Sequence, residues 1–158
     1  MSHQDRQRRV ARSRDPDDIV GVLVDQHADL SDLLEQLENS AGDQRRRSFA
    51  RLDPLLRAHE RAEREVVGPA LSAAEPPAPQ PVGGDRAGLD LLSTMAGLDV
   101  DSVAFSDLCE QLVAVVSEHL AAEETVRLPL LDALPEDERR HLGAEVLART
   151  PRDPGATG

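Results

Sequence analysis

His59-Glu60-Arg61-Ala62-Glu63, directly after Leu52-Asp53-Pro54-Leu55-Leu56-Arg57-Ala58, is the stretch that decides the fold. It sets an imidazole and a carboxylate four residues apart in a segment whose apolar residues recur at helical spacing. Four residues is about one helical turn, so both side chains leave one face. Leu52, Leu56 and Val66 share that face and belong in a core. Ionisable groups on a buried stripe need partners. His119-Leu120-Ala121-Ala122-Glu123 repeats the arrangement sixty residues later.

Around the first pair, the spacing predicts a helix from about Gln44 to Ala73 with the seam Leu52, Leu56, His59, Glu63, Val66 and Ala70. Pro54 should kink it or mark its effective start, and Gly68-Pro69 should bend it near its end. Around the second pair, a helix starting near Asp101-Ser102 carries the seam Phe105, Leu108, Leu112, Val115, His119, Glu123, Val126 and Leu130, interrupted by Pro129. His59, Glu63 and Pro69 have the same offsets as His119, Glu123 and Pro129. The segments upstream align as well. One helix begins near Asp15-Pro16-Asp17-Asp18, with Asp15 as its cap, and repeats Val20, Leu23, His27, Leu30, Leu34 and Leu37. The other runs from about Asp85 to Gly97 with Leu89, Leu92, Met95 and Ala96 on its apolar side. Asp85 then takes the place of His27. Two such helix pairs predict an all-α protein, an up-down four-helix bundle over residues 15–134.

Composition agrees with helices. Of 158 residues, 39% are hydrophobic, yet only two are aromatic, both Phe. No run of eighteen apolar residues is present, so no membrane span is expected. No apolar stretch near the start suggests a secretory signal. The single cysteine, Cys109, excludes an internal disulfide, fits a reducing cytoplasm, and reads as a small buried hydrophobe ahead of a redox thiol. A net charge of −12 argues against nucleic-acid binding by the body of the protein. Residues 1–14 differ, with five Arg against one Asp. They read as a disordered, solvated tail, or as a weak tether to nucleic acid or an acidic partner. Residues 75–84, with four Pro and two Gly, read as a semi-rigid linker. A short extra C-terminal helix is expected over 135–149, with Leu142, Val146 and Leu147 on its apolar side, before a disordered end at 150–158.

His27, His59, Glu63, His119 and Glu123 all occupy seam positions. Left unpartnered, each buried ionisable group would cost several kcal/mol. Bound cations remove that cost, because imidazoles donate neutral nitrogens and carboxylates stay ionised. Imidazole with carboxylate suits Fe, Mn or Zn better than soft-ligand metals. His3 in the tail and His141 in the terminal helix lie off the pattern. Asp85 follows Gly83-Gly84 at a helix start, so it is either a cap or a ligand.

The two His-x-x-x-Glu pairs, with His27 one helix upstream, resemble the hemerythrin-like family, the HHE cation-binding domain, over roughly residues 16–134. That resemblance implies a non-haem di-iron site. In it Glu63 and Glu123 would bridge the irons, His27 and His59 would cap one, and His119 the other. The family usually has His on its third helix, where this chain offers Asp85; an asymmetric di-iron site, a water in the vacated place, or a mononuclear site would follow. Glu60 and Glu124, which stand where many members carry acidic residues, read at least as readily as solvated charges. The implied chemistry involves dioxygen, peroxide or nitric oxide, or sensing of iron or oxygen, with an oxidase or peroxide-handling activity as one form. Oxygen-rich ligation favours ferric iron and so disfavours reversible oxygen carriage. Two other readings are a structural or interaction module whose metal site has decayed, and a mononuclear Zn or Mn site.

Overall fold

The computed structural model describes residues 1–74 and 85–151, the side chain of Asp85 excepted. The linker expected at 75–84 and the end at 152–158 lie outside the described residues. The helices are α1 (His3–Arg12), α2 (Ile19–Glu38), α3 (Gly42–Ala62), α4 (Gly68–Ala73), α5 (Asp85–Met95), α6 (Val103–Ala122), α7 (Leu128–Asp132) and α8 (Glu136–Arg149). Five-residue π-turns, Glu63–Val67 and Glu123–Arg127, join α3 to α4 and α6 to α7. There is no strand among the described residues, and no helix there is long and apolar enough to cross a membrane.

α2 packs on α3 and α6, and α5 packs on the same two helices. The apolar core divides into two clusters. One holds Leu30, Leu34 and Leu37 of α2, Leu52 and Leu56 of α3, Leu92 and Met95 of α5, and Phe105, Cys109, Leu112, Val116 and Leu120 of α6. The other holds Ile19, Val20 and Leu23 of α2, Ala62, Val66 and Leu71 from the end of α3 onward, Leu128 and Leu131 of α7, and Val146 of α8. Along α2 the chain meets the second cluster first; along α3 and α6 it meets the first cluster first. α2 therefore runs opposite to both. His27, His59 and Glu123 fall between the clusters, so the polar layer has apolar packing on either side.

The prolines account for the π-turns. Pro69 and Pro129 donate no N–H, and each ring would strike the carbonyl four residues back in a regular helix. Here the Gly68 and Leu128 N–H groups reach back five residues, to the carbonyls of Glu63 and Glu123. Each π-turn starts on the glutamate of its His-x-x-x-Glu pair, so the internal repeat extends to the backbone. A π-turn adds one residue to the period, and the seam slips downstream of it. Val126 and Leu130, expected inside, are 53% and 38% exposed, while Leu128 and Leu131 are buried. After Glu63 the burial likewise passes to Val67 and Leu71, with Ala70 only half-buried. Within α6, Cys109, Val116 and Leu120 take the buried places, and Leu108 and Val115 are half-buried.

Residues 3–12, expected as a disordered tail, form a helix. Ser2 and Asp5 make a capping box, and α1 lies along α2. The Arg8 guanidinium reaches Asp29 at 2.8 Å and Asp32 at 2.6 Å, with Asp25 at 3.4 Å. Arg8 of the basic run is thus held on an acidic face of α2. α2 begins later than Asp15. Asp18 is its cap, accepting from the Val20 N–H at 2.9 Å, and Arg139 of α8 binds the same carboxylate at 2.9 Å. α3 starts at Gly42 and runs through Pro54, so Pro54 is not its start. Ser102 caps α6, accepting from the Phe105 N–H. Cys109 is buried in the first cluster, and burial pushes its thiol up, as a packed hydrophobe requires.

Candidate metal centre

α2 brings in Gln26 and His27, α3 His59 and Glu60, α6 His119, and the π-turns Glu63, Glu123, Glu124 and Arg127. The centre of the arrangement is the Glu123 carboxylate. Its Oε2 lies 2.9 Å from His27 Nε2 and 3.2 Å from His59 Nε2. Its Oε1 lies 2.7 Å from His119 Nε2. One carboxylate therefore touches imidazoles from three helices. Donor atoms of His27, His59 and Glu123 all fall within 4.8 Å of one another, the spacing that holds a metal ion. The His27 and His59 rings meet edge to face, with centroids 5.1 Å apart.

A second ring of side chains orients these groups. His27 Nδ1 lies 3.0 Å from Glu124 Oε1, and Gln7 of α1 donates to the same oxygen. His59 Nδ1 lies 2.9 Å from Gln26 Oε1. Glu60, buried, holds Oε1 3.1 Å from His119 Nε2. Glu60 and Glu124 are therefore part of the site, in contrast to the expectation of solvated charges. Glu63 is buried beside them, but its Oε2 accepts from Arg127 Nη1. Asp85 opens α5, and the ligand role considered for it falls on a side chain outside the described residues. Of the six expected ligands, the fold joins His27, His59, His119 and Glu123 directly and turns Glu63 toward Arg127.

The electrostatics follow from burial of mixed charges. Burial opposes protonation of His27, yet Glu123 and Glu124 outweigh it and raise the imidazole to about 9. Burial likewise opposes charge on His119, and Glu123 and Glu60 carry it to about 10. Burial would raise Glu123, but the three imidazoles hold it well below the usual carboxylate range. Glu63 is pushed up to about 7 by burial and by the Glu123 charge, against the pull of His59 and Arg127.

Three imidazoles around carboxylates form a donor set for first-row divalent metals. The fit shows in one oxygen. Glu60 Oε2 is buried and accepts no hydrogen bond among the described residues. A buried oxygen left this way is costly unless a cation takes its lone pairs. Beyond Glu124, a cavity of about 360 Å³ opens between α1, α2 and α6, lined by His3, Gln7, Leu34, Val113 and Leu120.

Gln26, Gln7 and Arg127 join the site without belonging to the His-x-x-x-Glu repeat. Arg127 follows Glu123 by four residues and had a helical signal, but its counterpart in the repeat is Val67, so the repeat pointed to an apolar position. Gln26 and Gln7 carry no spacing that marks them.

The family model described as Hemerythrin HHE cation binding domain matches residues 18–131. No curated protein and no solved structure matches the chain.

Proposed function

The chain belongs to the hemerythrin HHE cation-binding domain family, and from that membership we propose that it holds two non-haem iron ions between its helices. α2, α3, α5 and α6 are read as the up-down bundle around them. His27, His59 and Glu123 would hold one ion; the observation that carries this reading is the Glu123 carboxylate facing three imidazoles. His119, Glu123 and Glu60 would hold the other, with Glu60 supplying what the third helix lacks. Glu63 would join as a bridge once released from Arg127.

Bound iron would supply electrons and open coordination positions for dioxygen, peroxide or nitric oxide. The chain's own groups set the surroundings. Oxygen-rich ligation favours the ferric state, which supports oxidation, peroxide handling, or sensing of oxygen or iron over reversible oxygen carriage. Protons held on His27 and His119 are available within the site. Cys109, the single thiol, is buried and unpaired by disulfide, which suits a cytoplasmic setting.

A single Zn or Mn ion is the second reading, favoured by the compact group His27, His59 and Glu123. Metal analysis after expression with iron separates the two. Near two irons per chain, with near-ultraviolet absorption that Glu123→Ala removes, supports the di-iron centre. One tightly held Zn or Mn supports the second reading. A folded protein with no affinity for any of these metals overturns both and leaves an interaction module. Repeated oxygen uptake and release by anaerobically reduced protein, without bleaching, would overturn the preference against carriage.

A further inference from the structure

Gln26 is buried on α2 between the metal centre and the end of α8. Its amide makes two contacts. Nε2 donates to Thr150 Oγ1 at 2.8 Å, and Oε1 lies 2.9 Å from His59 Nδ1. Thr150 Oγ1 in turn donates to the Val146 carbonyl at 2.9 Å. A hydroxyl has one proton. With that proton committed to Val146, Thr150 offers Gln26 only lone pairs, and only the amide NH2 can satisfy them. The amide oxygen must then face His59. An amide oxygen only accepts, so Nδ1 of His59 carries hydrogen, and Nε2 is the nitrogen left to face Glu123.

We propose that Thr150 and Gln26 are positioning residues: a hydrogen-bond relay from the C-terminal end of α8 that dictates which nitrogen of His59 is presented to the metal. The proposal rests on the metal-binding reading above. It assigns α8, which otherwise only covers the bundle, a part in the site. His27 needs no such relay. Its Nδ1 faces the Glu124 carboxylate, which accepts whichever way it turns. An amide accepts at one end only and must be oriented from behind.

Outer partners of metal-bound histidines commonly change metal affinity about 10–100-fold when removed. Thr150→Val keeps the branched shape, removes the hydroxyl and frees Gln26 to flip. It should weaken Zn(II) and Fe(II) binding, measured by chelator competition, by about 10-fold. Thr150→Ser should stay close to wild type. Gln26→Glu supplies an acceptor in either orientation, so Thr150→Val should have little effect in that background. Long-range ¹H–¹⁵N spectra of the His59 ring, in metal-free and Zn-loaded protein, should show the proton on Nδ1 in wild type and a changed pattern in Thr150→Val. Unchanged affinity and unchanged ring signals in Thr150→Val would overturn the relay. An equal loss of affinity in the Gln26→Glu background would overturn it too, because Thr150 would then act only through packing. If wild type binds no metal, the metal reading fails, and the ring signals of the metal-free proteins still decide whether the relay exists.

Discussion

Glu63 gives its carboxylate to Arg127, whereas Glu123, its counterpart in the second half of the chain, faces three imidazoles. The two halves match in backbone, since each glutamate starts a π-turn, and differ in who answers the charge. On the di-iron reading proposed above, Arg127 competes with metal for Glu63. Arg127→Met should destabilise the metal-free protein by about 2 kcal/mol, the scale of a buried charged hydrogen bond. The loss should grow as pH rises above about 7, because Glu63, already raised to about 7, will rise further without the guanidinium and will stay protonated where the wild-type carboxyl ionises. Added metal should recover more melting temperature in the variant than in wild type, since Glu63 is free to ligate. An equal metal-induced gain in both proteins would show that Arg127 does not compete.

The imidazoles set an opposite pH dependence for folding and for metal binding. His27 and His119 are raised to about 9 and about 10, above their ordinary value of 6.5. Groups with raised folded values stabilise the fold fully below the unfolded value, and that contribution is lost as pH rises through the folded ones. Metal-free protein should thus melt at progressively lower temperature between pH 7 and 10. Ligation needs neutral imidazole, so each displaced proton should strengthen apparent metal affinity about tenfold per pH unit over this window. Calorimetric titration at two pH values, with proton release followed in weak buffer, reads both. Affinity independent of pH would mean that these imidazoles are not ligands.

Much of this was legible in the chain because the seam of α2 obeys a plain helical period: Val20, Leu23, His27, Leu30, Leu34 and Leu37 are all buried. The failures share one physical origin, that a single-helix pattern contains no information on backbone irregularity or on distant partners. Downstream of Glu123 the π-turn slips the seam, so Val126 was expected inside and Arg127 was overlooked. Glu60 sits beside His59 in sequence and would point elsewhere on a lone helix; burial against His119 of α6 brings it into the centre. α1 has no strong apolar stripe, and its docking depends on Arg8 finding three aspartates of another helix.

Gly143 of α8 lies against the chain that enters α2. A Cβ there would stand 1.7 Å from the Asp17 carbonyl oxygen and 2.9 Å from the Ile19 nitrogen, both backbone atoms that cannot swing aside. Gly143→Ala gains helix propensity on a free helix but must push α8 off α2. We expect a loss of roughly 3 kcal/mol in denaturant unfolding. The displacement should also break the Arg139–Asp18 contact and draw Thr150 from Gln26. The exposed neighbour Ala144 supplies the control. Ala144→Gly changes propensity alone and should cost only about 1 kcal/mol. Equal losses in the two variants would refute the close-approach argument.

Arg8 is the clamp that holds α1 over the site. It meets Asp25, Asp29 and Asp32 on successive turns of α2, while Gln7 beside it reaches Glu124, the partner of His27. Partly exposed ion pairs are worth little singly, about 1 kcal/mol or less, but one guanidinium shared by several carboxylates adds to more. Arg8→Ala should leave the core transition nearly unchanged, because the two apolar clusters contain no residue of α1. Local opening is another matter. The amides of α1 should exchange about tenfold faster, the factor that roughly 1.4 kcal/mol brings. With α1 loosened, the cavity beside Glu124 opens to solvent, and transfer of bound metal to an external chelator should quicken in the same proportion. Unchanged amide exchange in α1 would show that the clamp does not hold the helix; faster exchange with unchanged metal transfer would show that metal leaves by another route.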